Sequence, residues 1–128
     1  MGEYDFDLEL VGQNSLLLIL EQIKKDSVVL EFGPANGRLT KYLKQELNCD
    51  MYLVEIDEEA GKQALKFAKD LVVGDAENLE WFERYKNLRF DYILFPDILE
   101  HLRNPLRVIT TAKRLLKEDG SILMSVPN

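Results

Sequence analysis

The chain has 128 residues and a formal net charge of −7, with 46% apolar and 30% charged residues. That is enough for one modest domain with its own core, and the acidic balance argues against a nucleic-acid partner, which as a rule meets a basic face. The longest apolar runs, Leu16–Leu20, Leu71–Val73 and Tyr92–Phe95, fall short of the roughly 20 residues that cross a bilayer, and the single cysteine, Cys49, forbids an internal disulfide and fits a reducing, cytoplasmic setting.

Residues 1–13 mix polar and scattered apolar side chains and read as a flexible arm, without a leader pattern. Asn14 or Ser15 can cap a helix that carries Leu16, Leu17, Ile19, Leu20 and Ile23 to Lys25. Ser27–Phe32 reads as the first strand, nearly all apolar, as a strand covered on both faces must be. Gly33, Ala35 and Gly37 lead into a helix to about Leu47, with Leu39, Tyr42, Leu43 and Leu47 on one stripe. Met51–Ile56 is the second strand. Asp57, Glu58 and Glu59 then set carboxylates at a helix start, where the dipole favours them. That helix carries Ala60, Ala64, Leu65, Phe67 and Ala68, and Asp70–Val73 is the third strand. Leu79, Trp81, Phe82 and Tyr85 follow at helical spacing, a core stripe rather than a stacking platform. Phe90–Phe95 is the fourth strand, ended by Pro96, and Asp97–Leu102 is a short helical turn. Asn104-Pro105 opens a helix to about Lys117, with Val108, Ile109, Ala112, Leu115 and Leu116 inward. Glu118-Asp119-Gly120 is a turn, and Ser121–Val126 is the fifth strand.

Strands alternating with helices predict one α/β domain. We expect a Rossmann-like doubly wound sheet of five mainly parallel strands in the order 3-2-1-4-5, with right-handed crossovers and helices on both faces. Ligands of such sheets sit outside the carboxyl ends of the strands. The ends carry an acid each: Glu31, Glu55, Asp75 and Asp97. Gathered on one edge they form an acidic rim, suited to hydroxyls, amines or positive charge. A dinucleotide would need G-x-G-x-x-G after the first strand so that its pyrophosphate rests on the helix start. Here the small residues alternate strictly and position 38 is arginine, so that fingerprint fails.

The run Glu31-Phe32-Gly33-Pro34-Ala35-Asn36-Gly37 resembles the first motif of class I S-adenosylmethionine-dependent methyltransferases, an acidic residue followed by alternating small residues. V-E-I-D-E-E-A (54–60), V-G-D-A-E-N-L (73–79) and F-D-Y-I-L-F-P-D-I-L-E-H-L (90–102) resemble the second to fourth motifs, and L-K-E-D-G-S-I-L-M-S-V-P-N (116–128) resembles the helix and strand after them. The wording is similar to methyltransferase domains found beside glycosyltransferases. The resemblance implies a cofactor, S-adenosyl-L-methionine, or its product S-adenosyl-L-homocysteine (SAH). Its contacts would come from Glu31, Gly33, Pro34, Ala35, Gly37, Glu55, Ile56, Asp75, Ala76, Glu77, Phe95, Pro96 and Asp97. Glu55 would accept from both ribose hydroxyls, Asp75 from the adenine amine, with Ala76 offering its N–H, and backbone groups near Phe95 to Asp97 would hold the methionine end. Ala35 stands where the family has its middle glycine, and fits without strain only at negative φ.

The implied reaction is methyl transfer to a small-molecule or glycan acceptor, and no metal ligand set is expected. Family members continue past the fifth strand into substrate-binding elements, so the chain is expected to hold the cofactor part without the acceptor part. A binding module without turnover is the alternative, with a nicotinamide-dependent oxidoreductase behind it. His101 is the sole histidine and could serve as general base, or it could pack beneath the cofactor or bond a backbone carbonyl. Asp75 and Asp97 could equally cap the turns that follow them, and Tyr4 could close over the pocket or move with the arm. An unpaired fifth-strand edge around Ile122, Met124 and Val126 would favour self-association.

Overall fold

The computed structural model describes residues 14–125. The arm over residues 1–13 with its Tyr4, and residues 126–128 with Val126, lie outside them. Five parallel strands form one sheet in the order β3-β2-β1-β4-β5, as expected. They are β1 (Val28–Phe32), β2 (Asp50–Glu55), β3 (Asp70–Val73), β4 (Phe90–Pro96) and β5 (Leu116–Ser125). The helices are α1 (Asn14–Gln22), α2 (Arg38–Leu47), α3 (Glu58–Leu65), α4 (Glu80–Tyr85) and α5 (Pro105–Lys113), with single 3-10 turns at Ala76–Asn78 and Leu99–His101.

Alternation along each strand divides the core between two faces. Val29, Met51, Leu53 and Leu94 meet Ile19 and Leu20 of α1, Ile23 just past its end, Leu43 of α2 and Ala64 of α3. Leu30, Phe32, Val54, Ile93 and Phe95 meet Trp81 and Tyr85 of α4 and Val108 and Ala112 of α5. Trp81 and Tyr85 are therefore core, and Cys49 is fully buried.

Three helix ends and the start of β5 differ from the sequence expectation. Helix α1 stops at Gln22, and α3 stops at Leu65, ahead of Phe67 and Ala68. Helix α5 stops at Lys113 because its last turn tightens, Arg114 N–H donating to Thr111 O and Leu115 N–H to Ala112 O. Leu116 already pairs with Phe90 in the sheet, and pairing resumes at Ser121 opposite Tyr92. The expected turn at Glu118-Asp119-Gly120 is thus an irregular excursion inside β5. Gly120 permits it, since a Cβ there would lie 2.8 Å from Phe90 O. β5 is an edge strand, with Met124 45% exposed. No helix among the described residues is long and apolar enough to cross a membrane.

Candidate functional site

The strands run out at one level because backbone bonds continue the ladder into the loops. Gly33 N–H donates to Val54 O at 2.8 Å, Gly74 N–H to Glu55 O at 3.0 Å, and Asp97 N–H to Ser125 O at 3.0 Å. Between β1 and α2 the chain turns through positive φ at alternate residues: 71° at Gly33, 53° at Ala35 and 94° at Gly37. That is why small residues recur there at every second position. Ala35 does not meet the condition of negative φ; it occupies the left-handed region, at a cost of about 1 kcal/mol for an L-residue. The two glycines also make room. A Cβ at Gly33 would lie 2.9 Å from Ile98 Cγ2, and one at Gly37 would lie 2.6 Å from Ala64 Cα, inside the backbone of α3.

The acids at the strand ends are held differently. Glu55, 8% exposed, accepts from Ala35 N–H through Oε1 at 2.8 Å and from Asp57 N–H through Oε2 at 3.0 Å. One carboxylate thus fixes both the turn after β1 and the start of α3. Asp57 caps α3 by accepting from Ala60 N–H at 3.2 Å. Asp75 caps the turn after β3, its Oδ1 accepting from Glu77 N–H at 2.9 Å. Ala76 is pinned beside it, since its carbonyl accepts from Trp81 Nε1 at 2.6 Å. Both oxygens of Glu77 are taken by the protein, Oε2 by Arg103 N–H and Oε1 by Asn104 N–H, each at 2.9 Å.

Glu31 lies deepest, at 1% exposure, with Thr40 Oγ1 donating to it at 2.6 Å. Burial pushes its pKa up to about 7; the Thr40 hydrogen bond works against this rise and the nearby Glu55 charge adds to it. Asp97 does not cap the turn after it. Its φ is 56°, and its carboxylate accepts from Ser125 Oγ at 2.9 Å, while the cap position of the turn falls to Ile98 without a side-chain bond. Asp97 is drawn toward β5 instead. The His101 side chain is 75% exposed rather than packed beneath the cleft, with Nε2 3.3 Å from Glu100 Oε2, and bonds no carbonyl among the described residues.

Two clefts open on this edge and share Gly33, Ala35, Pro96 and Asp97. The first, about 440 Å³, runs over Glu55, Ile56, Asp75, Ala76 and Glu77 to His101. The second, about 600 Å³, lies over Glu31 and Pro34. Gly37 and Phe95 line neither. Gly37 serves the α2–α3 contact, and the Phe95 ring stacks on Phe32 at 4.6 Å in the core. Sequence reasoning did not single out Ile98, Leu102 and Arg103 on the first cleft or Arg38 on the second. The available signal for the first three was their place just past the fourth strand end, where loops meet ligands.

A family model described as a methyltransferase domain matches residues 8–128. The chain belongs to this methyltransferase family. An uncharacterized protein of Methanocaldococcus jannaschii is 31% identical over 97 residues, which are 76% of this chain and 43% of that protein. Ribosomal RNA small subunit methyltransferase A of Hydrogenobaculum sp. is 29% identical over 128 residues, 89% of this chain and 51% of that enzyme. Among solved structures, coclaurine N-methyltransferase bound to N-methylheliamine and SAH superposes with a TM-score of 0.71 at 19% identity, over 85% of this chain and 33% of that one. This methyltransferase chain therefore spans about half the length of the curated relatives it matches.

Proposed function

We propose that this methyltransferase chain binds S-adenosylmethionine across the two joined clefts and forms the cofactor-holding part of an enzyme that methylates a small-molecule or sugar acceptor. The observation that carries the reading is the pair Glu55 and Asp75 on one cleft of about 440 Å³, beside a turn with positive φ at Gly33, Ala35 and Gly37. That volume lies within the range of small-ligand sites, about 300–1,000 Å³.

Each residue then has a task its geometry allows. Each Glu55 oxygen accepts one backbone N–H and keeps a second lone pair for a ribose hydroxyl. Asp75 spends Oδ1 on Glu77 N–H and keeps Oδ2 for the adenine amine. Ala76, fixed through Trp81, offers its N–H, and Ile56, 68% exposed, lays an apolar side chain over the base. Glu31, Pro34 and Ala35, with the backbone of Pro96 and Asp97, face the amino-acid end in the second cleft. The cofactor supplies a sulfonium methyl for in-line displacement, which alignment favours. His101, exposed at the mouth, is the candidate to take a proton from an acceptor hydroxyl.

An RNA acceptor is a second reading, favoured by the likeness to the Hydrogenobaculum enzyme. A module that binds without turnover is a third. Calorimetric titration with SAH tests what all three share: one saturable site is expected, and no heat at millimolar SAH would refute it. NADH binding in its place would restore the oxidoreductase reading.

A further inference from the structure

The first cleft has two walls from different crossovers. One is the turn Ala76–Asn78 after β3; the other is the segment 97–104 between β4 and α5 that carries His101 and Arg103. Glu77 spans them. Its two oxygens take the consecutive amides of Arg103 and Asn104, both at 2.9 Å. Asn104 caps α5 by accepting from Arg107 N–H at 3.2 Å, and the Arg107 guanidinium returns to Glu77 O at 3.4 Å. On the other side Asp75 accepts from Glu77 N–H at 2.9 Å. A chain of hydrogen bonds thus runs from Asp75 through Glu77 to the wall that bears His101.

We propose that Glu77 is a positioning residue, a brace of fixed length that sets the opening of the first cleft, rather than a group that touches the cofactor. The proposal rests on the reading that this cleft takes the adenosyl part. Its chemistry follows from the donors it faces. Two backbone N–H groups point at one side chain, and only an ionised carboxylate offers an acceptor to both without bringing a donor. The same two bonds, with the charges of Arg103 and Arg107, hold the Glu77 carboxyl below the ordinary glutamate range, so it stays ionised near neutrality. A glutamine would turn an NH2 toward one of the amides. An aspartate would keep the charge and lose a methylene of reach.

The test compares the unaltered protein with E77A, E77Q and E77D. Amide hydrogen exchange needs no ligand, and it should rise about tenfold or more at Arg103 and Asn104 in E77A and E77Q, with the melting temperature moving by only about 3 °C. Affinities for adenosine and for SAH should fall together by about tenfold, because the cleft opening is misset. E77D should retain more protection at the two amides than E77Q and recover adenosine affinity only in part. Unchanged exchange at the two amides would overturn the brace, as would faster exchange with unaltered adenosine affinity. An unaltered protein that fails to bind SAH or adenosine would refute the cofactor reading, and exchange alone would then decide the brace.

Discussion

The two walls of the site are built on opposite terms. The wall after β1 is fixed from below by buried acids: Glu31 at 1% exposure and Glu55 at 8%, the latter clamped by two backbone N–H groups. The wall after β4 is held from the side, by Asp97 on Ser125 and Glu77 on Arg103 and Asn104, and its His101 side chain is 75% exposed. On the first wall, the Glu55 carboxylate that braces two loops is also the group proposed to take the ribose. On the second, His101 is exposed at the opening and pairs with its chain neighbour Glu100.

The largest effect that this contrast predicts is at Gly37. Gly37→Val combines φ of 94° with a Cβ inside the backbone of α3, and should lower unfolding free energy by about 4 kcal/mol, read from the denaturant midpoint. Glu31 comes next. Its folded pKa of about 7 exceeds the ordinary 4.5, so the folded state keeps its proton to higher pH than the unfolded chain. Stability tied to this group is full below about pH 4.5 and falls by on the order of 3 kcal/mol as pH rises to about 7. A Glu31→Gln variant should lose that slope in melts across pH 4 to 8; an unchanged slope would mean another group causes it.

Glu55→Ala leaves the Ala35 and Asp57 amides without their acceptor, and should destabilise by about 2 kcal/mol and weaken SAH by more than about tenfold. Ala35→Gly relieves the left-handed strain but loosens the unfolded chain, and the net change should stay within about 0.5 kcal/mol. Smallest of all, His101→Ala on the second wall should leave stability unchanged to within about 0.5 kcal/mol and SAH affinity to within about twofold. A large loss of stability there would erase the contrast between the walls.

Much of the fold was legible because two-sided burial leaves an unmistakable pattern. Val28–Phe32, buried from Val29 onward, is such a run and ends at glycine; Asp70–Val73, a partly exposed edge strand, shows only the apolar run and the glycine. The end of α5 was not legible, because Leu115 and Leu116 continue the helical stripe of Val108 and Ala112, and only pairing with Phe90 decides that Leu116 is strand. At the site, the acids at four strand ends could be read from position alone. The φ of Ala35 could not, since an alanine reads as negative φ and the Glu55 bond to its N–H helps to hold it in the left-handed region. Asp97 looked like a cap, and a hydroxyl on the neighbouring strand took its carboxylate instead. The partners of Glu77 lie too far along the chain for any local pattern to announce them.

The central claim is that one adenosine lies between Glu55 and Asp75. A crystal structure of the protein grown with SAH tests it most directly. The account predicts both ribose hydroxyls within hydrogen-bond distance of the Glu55 carboxylate and the adenine amine on Asp75. An SAH molecule bound elsewhere, or bound here with Glu55 untouched, would contradict it.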